Sequence, residues 1–184
     1  MTEEKSIRSP EGAADGAGKQ DEERAPRGSC CLFTGHRDLP SGQTGRISAR
    51  TGAAIRAAYD AGARTFFAGG AVGFDMLASV AFLNMKAELP GARLVLVLPY
   101  FRHYAGWKRS EQLVFAEVLK RADEAVYLER AYVQGCFQQR NRYMVDRSGR
   151  CICYCRKASG GTAYTVKEAE KQGLTVVNVA EEEN

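Results

Sequence analysis

Three short segments of this 184-residue chain pair glycines with residues that hold anions. Thr34-Gly35-His36-Arg37 sets an imidazole and a guanidinium after an apolar run, and Gly69, Gly70 and Gly73 lead into Asp75. The third is Gly160-Gly161-Thr162, preceded by Arg156 and Lys157. Glycine exposes main-chain N–H groups and permits positive φ, so a glycine turn opening a helix can cradle a phosphate. Neither long turn ends in Gly-Lys-Ser/Thr or has the G-x-G-x-x-G spacing, which excludes a Walker A loop and the dinucleotide fingerprint. Gly160, Gly161 and Thr162, with a hydroxyl and two flanking bases, make the better cradle. Arg37 can clamp a phosphate bidentately. His36 can stack on a base, donate to an oxyanion, or only fix its loop. Asp75, expected in the first turn of a helix, either satisfies free N–H groups there or accepts from ribose hydroxyls.

Further residues are less committed. Between Cys136 and Asp146, Phe137, Asn141, Met144 and Val145 share one side of a helix, so Asn141 needs a polar partner, backbone or ligand. Arg140 and Arg142 are expected on a solvated or anion-facing surface. Tyr100 and Trp107 interleave with Arg102, Lys108 and Arg109, as aromatics do on base-stacking surfaces and also where they merely cover a loop. Only two histidines are present, which excludes a multi-histidine metal centre; no metal and no cofactor is called for. The six cysteines form no C-x-x-C pair, and Cys151, Cys153 and Cys155 alternate along one strand face, where they are expected as buried core.

The elements that must position these groups alternate regularly. Apolar runs at 30–34, 64–69, 93–100, 124–128, 150–155 and 174–179 read as strands. Helical patterns lie between them at about 44–61, 74–88, 108–121, 136–148 and 162–172. Uninterrupted apolarity in the strands implies a sheet covered on both faces, hence an α/β fold: a Rossmann-like three-layer sandwich with a mostly parallel sheet and right-handed crossovers. In such a sheet ligands sit beyond the carboxyl ends of the strands, which is where all three glycine segments fall.

Residues 1–29 carry seven acids, five bases and few large apolar groups, so they read as a disordered, solvated tail, and residues 30–180 as one domain. That domain holds 21 bases and 12 acids, a net charge of +9 that favours an anionic partner. No segment reads as a membrane span or signal peptide, so the expected location is cytoplasmic and no membrane partner is expected. Nothing in the pattern decides the oligomeric state.

TGHR, GGAVGFDMLA, the Pro-Tyr strand end, GCFQQRNRYMVDRS and GGTAYTVKEAEKQG, in this order over about residues 30–180, resemble the YpsA-like family of the SLOG superfamily. The resemblance implies binding of a nucleotide or nucleotide-derived ligand, ADP-ribose-like, with no assigned reaction. It carries binding roles onto Gly35, His36, Arg37, Gly69, Gly70, Gly73, Asp75, Asn141, Gly160, Gly161 and Thr162, while Tyr100 or Trp107 would face the base. Related phosphoribohydrolases carry PGGxGTxxE; here Thr165 stands where that glutamate would be, and the nearest acid is Glu168. An N-glycosidase acting on a nucleoside or nucleotide is therefore an alternative that needs Asp75 or Asp146 as its carboxylate. DprA-like members share a GxAxGxD turn, which makes single-stranded nucleic acid, held by Arg102, Lys108, Arg109, Arg140 and Arg142, a second alternative partner.

Overall fold

The computed structural model describes residues 6–8, as backbone, and 25–180. Six strands form the body of one sheet: β2 (Cys30–Gly35), β3 (Thr65–Ala68), β4 (Arg93–Tyr100), β5 (Glu124–Glu129), β6 (Arg150–Tyr154) and β7 (Thr175–Asn178). A three-residue strand, β1 (Ser6–Arg8), adds beside β5, and the order across the sheet is β1-β5-β4-β3-β2-β6-β7. Every pairing is parallel. The crossovers are α1 (Thr44–Asp60), α2 (Phe74–Met85), α3 (Arg109–Arg121), α4 (Cys136–Arg147) and α5 (Gly161–Lys171).

The strand apolarity is continuous because each strand feeds two cores at once. Phe33, Phe66, Leu94, Leu96 and Ile152 point to the side covered by α1, α2 and α3, where Ile55, Phe82 and Phe115 meet them. Their neighbours Leu32, Phe67, Val95, Val97 and Cys151 point to the other side, under Met144 and Val145 of α4 and Ala169 of α5. Cys30, Cys31, Cys136, Cys151 and Cys153 are buried free thiols, as expected of core residues, and burial pushes Cys31 up to about 12. Cys155 is only half-buried.

Two local details differ from the sequence pattern. The helix expected over 74–88 stops at Met85 and finishes as a 3-10 turn over Lys86–Glu88. Within the segment read as a solvated tail, Ser6–Arg8 is the edge strand β1, and Arg27 anchors its own 3-10 turn by donating from Nε to the Ser148 carbonyl at 3.1 Å. Residues 1–5, 9–24 and 181–184 lie outside the described residues. No helix among the described residues is long and apolar enough to cross a membrane.

Candidate functional site

From β2 the chain lays down β3, β4 and β5 successively on one side, then returns to place β6 and β7 on the other. The loops after β2 and β6 therefore diverge in opposite directions and leave a crevice above their carboxyl ends. His36 ties the two loops together. Its Nε2 accepts the N–H of Arg156 at 2.9 Å and of Lys157 at 3.3 Å, while its own amide donates to the Tyr154 carbonyl at 3.2 Å. An Nε2 that accepts two N–H groups carries no proton, so the neutral ring is the Nδ1–H tautomer. Burial, helped by the positive Lys157 and Arg156 side chains, lowers the His36 pKa below its ordinary 6.5.

The crevice beneath has a volume of about 580 Å³ and is lined by His36, Arg37, Pro40, Tyr154, Arg156 and Lys157, with Asp38 as its one lining carboxylate. That size lies within the range typical of small-molecule sites. Helix α5 begins four residues beyond Lys157, with Gly160 at φ +96°. The first intrahelical bond runs from the Tyr164 N–H to the Gly160 carbonyl at 3.0 Å, so the amides of Gly161, Thr162 and Ala163 precede it and are left over by the helix. A Cβ built on Gly161 meets no atom within 4 Å, so packing does not require glycine there.

The turn over Gly69–Asp75 behaves differently, because the protein itself consumes its donors. Asp75 is buried, and its carboxylate accepts the N–H groups of Gly69 and Ala71. The Phe74 N–H, first in α2, donates to the His36 carbonyl at 3.1 Å. Each glycine also answers a close approach. A Cβ on Gly73 would lie 2.2 Å from the Arg37 carbonyl oxygen, one on Gly35 2.4 Å from Phe74 Cβ, and one on Gly70 2.5 Å from Leu98.

Arg140, expected at the surface, is instead buried, because the Asp75 carboxylate and the Gly69 carbonyl give its guanidinium partners inside the fold. Its Nη1 donates to the Gly69 carbonyl and stands 4.0 Å from Asp75 Oδ2. Burial raises the Asp75 pKa, and Arg140 and the two amides pull the other way. Arg140 Nε donates to Asn141 Oδ1 at 2.7 Å, Asn141 Nδ2 donates to Thr165 Oγ1 at 2.8 Å, and that hydroxyl donates to the Gly161 carbonyl at 2.9 Å. A continuous polar relay thus joins the Gly69 turn to the start of α5.

A profile of the YspA SLOG family matches residues 45–178. The chain belongs to the YspA SLOG family. Its relatives include the UPF0398 protein YpsA of Bacillus subtilis, 27% identical over 61% of this chain and 64% of that protein. Another, from Bacillus velezensis, is 23% identical over 66% of this chain and 68% of that one. The chain thus spans somewhat less than two-thirds of the length of the B. subtilis relative. Among solved structures, DNA processing protein A of Helicobacter pylori, described for its single-stranded DNA binding mode, superposes with a TM-score of 0.57. It is 17% identical, over 80% of this chain and 63% of that one. DprA of Streptococcus pneumoniae gives a TM-score of 0.54 at 17% identity, over 82% of this chain and 49% of that one. At such identities the likeness shows the shared SLOG fold.

In this SLOG domain only His36 and Arg37 of the residues expected at the site line the β2–β6 crevice; Gly35 ends β2, Gly160, Gly161 and Thr162 follow β6 at the start of α5 without lining it, and Gly69, Gly70, Gly73 and Asp75 follow β3. Asn141 is bonded on both sides within the relay. Trp107 sits apart, packed against His103 at 5.3 Å and Phe115 at 5.6 Å between ring centroids. Asp146 is also remote: it accepts from Gln172 Nε2 at 2.9 Å, at the far end of α5 and hence at the opposite rim of the sheet. Tyr100 ends β4 with its ring edge-on to Tyr132 at 5.8 Å and Phe137 at 6.2 Å, and the Arg37 guanidinium lies 5.8 Å from the Phe137 ring. Tyr132 and Phe137 were not among the residues expected at the site. The rule that located the others, that loops after strands carry ligand contacts, points to Tyr132 when it is applied to the segment after β5.

Proposed function

We propose that this SLOG protein binds a nucleotide or nucleotide-derived ligand in the crevice between the loops after β2 and β6. The observation that supports it is the convergence there of Arg37, Arg156 and Lys157 around a cavity preorganised by the His36 bridge, with the leftover amides of α5 on the same rim. Anionic oxygens fit such a place because main-chain N–H groups at a helix start and fixed cations favour them without reorganisation. Thermal unfolding with AMP, ADP and ADP-ribose tests the reading. A ligand at a hundred times its Kd adds about 2.7 kcal/mol, or roughly 5–11 °C. The shift is lost in Gly161→Glu, whose carboxylate occupies the cradle, and the ligand is recovered unchanged. No shift with any of the three ends the proposal, and accumulation of free base would replace it with the N-glycosidase alternative.

Single-stranded nucleic acid is a second reading, supported by the +9 charge of residues 30–180 and by the fold shared with DNA processing protein A. It requires oligonucleotide affinity that falls steeply with salt as counterions are released. A flat salt profile refutes it.

A further inference from the structure

Helix α2 is apolar on nearly every side, the pattern of a helix that is covered all round, and of its twelve residues only Asn84 is exposed. Its outward stripe is nevertheless open. Leu77 and Val80, three residues apart, are only half-buried and form the floor of a groove between α1 and α3. Val114 of α3, 44% exposed, forms one wall, and Thr44, Gly45 and Ser48 of α1 form the other. A Cβ built on Gly45 meets no atom within 4 Å, so the α1 wall stands back from the floor. The groove has a volume of about 560 Å³, and Leu39 is the one residue it shares with the crevice between the loops after β2 and β6. We infer that this groove is a second ligand site and takes an apolar amine, with an alkyl or aromatic body on the α2 floor and a protonated amino group at Glu111.

The site is independent of the nucleotide reading and is argued from size and charge. Its volume lies in the range of small-molecule sites, and a concave space among three helices suits a compact body. Charge selects the head group. Among the described residues, Glu111 is the one ionisable side chain that lines the groove. Its Oε2 accepts the Lys108 N–H at 2.9 Å, which holds the carboxylate at the rim, and a carboxylate has a second oxygen to offer an ammonium group. The hydroxyls of Thr44, Ser48 and Ser110 also line the groove and are able to accept further ammonium N–H groups. Arg46, Lys108 and Arg109 are exposed, and none of them lines it. An anion would therefore face a carboxylate with no lining cation to offset it, the reverse of the crevice with its Arg37, Arg156 and Lys157.

Methyl NMR titration of the full chain at neutral pH with hexylamine, butylamine, 1-hexanol and hexanoate tests the site, because the Leu77, Val80 and Val114 signals report both place and affinity. Hexylammonium shifts these signals saturably and binds more tightly than hexanol, and hexanoate is the weakest. Butylammonium, two methylenes shorter, binds up to about fourteen-fold less tightly than hexylammonium. Glu111→Gln keeps an oxygen for the Lys108 N–H. It weakens hexylammonium by up to about five-fold, the most that one exposed ion pair usually contributes, and leaves hexanol unchanged. Val114→Trp, at an exposed position that does not threaten the fold, fills the groove from the α3 side and weakens both. Absence of saturable shifts at Leu77 and Val80 overturns the site. Hexanol or hexanoate binding as tightly as hexylammonium, or indifference of hexylammonium to Glu111→Gln, overturns the amine. Shifts of the same signals with protein concentration alone overturn it in favour of a second copy of the chain as the cover of α2.

Discussion

Gly161→Ala and Gly69→Ala should have opposite effects on stability, because the two glycines exist for different reasons. Gly161 is exposed, opens α5, and has no atom within 4 Å of the place a methyl group would take, and its φ is not in the left-handed region. Alanine there meets nothing and removes backbone freedom from the unfolded chain, a gain of about 0.4–1 kcal/mol, or about 1–4 °C. At Gly69 the same methyl would lie 2.0 Å from Arg140 Nη1 and 2.8 Å from Asp75 Oδ2. Either the backbone moves or the buried pair separates, and breaking a buried pair costs about 3–5 kcal/mol, roughly 6–20 °C at this domain size. Differential scanning calorimetry measures both, with and without ADP. The Gly161→Ala protein should melt higher than wild type on its own and yet show a smaller ligand shift, because the methyl occupies the space an anion needs to reach the amides. Unchanged ADP affinity in Gly161→Ala refutes the main-chain cradle, and wild-type stability in Gly69→Ala refutes the packing account of that glycine.

Replacing Arg140 by Met strands the buried Asp75 carboxylate and should cost about 3–5 kcal/mol by urea unfolding. Adding Asp75→Asn to it should recover most of that loss, and an additive double mutant would show that the two do not interact. Stability should also fall below about pH 6.5, because burial lowers the pKa of both His36 and His103 in the folded state. The folded protein then prefers the neutral rings, so their contribution is full above the unfolded value and is lost as pH drops through the folded ones. His36→Gln and His103→Phe should each flatten the pH profile of the melting temperature. Ellman's reagent should titrate one thiol slowly in the native protein, Cys155, whose pKa burial raises, and none in Cys155→Ser. Rapid reaction of two or more would contradict the burial of the other five.

The strands were legible because burial on both faces leaves an unbroken apolar run, and a glycine stands shortly before β2, β3, β4, β6 and β7, at Gly28, Gly62, Gly91, Gly149 and Gly173. Cys151 and Cys153 show why composition alone misleads: six cysteines invite metal or disulfide chemistry, while the period-2 spacing already assigned these two to one sheet face, where they are buried. What the sequence concealed is how charge is satisfied. Arg140 looks like a surface residue next to Arg142, and only the fold brings Gly69 and Asp75 to it, 71 residues away for the Gly69 carbonyl. Ser6–Arg8 was hidden for the opposite reason. A three-residue edge strand carries too little pattern to stand out in a segment rich in charge, and its partner β5 lies more than a hundred residues on.

The two long glycine turns, similar on paper, divide the work of the site. Above β3, glycine lets the backbone of the Gly69–Gly73 segment pass under Arg140 and against the Arg37 carbonyl, and its amides are spent on Asp75. Above β6, glycine is not demanded at Gly161 by any neighbour, and the amides beyond it have no partner within the helix. The first turn is therefore a support and the second an opening. Arg140, Asn141 and Thr165 connect them, so the Gly69 carbonyl is linked to the Gly161 carbonyl through four hydrogen bonds. This arrangement explains how Asn141 is satisfied on an apolar helix face, by Arg140 and Thr165, and under the nucleotide reading its role is to position the start of α5. Asn141→Leu should then weaken ADP binding by displacing α5 while leaving the salt dependence of binding intact. A steeper or flatter salt dependence would mean that Asn141 touches the charged part of the ligand after all.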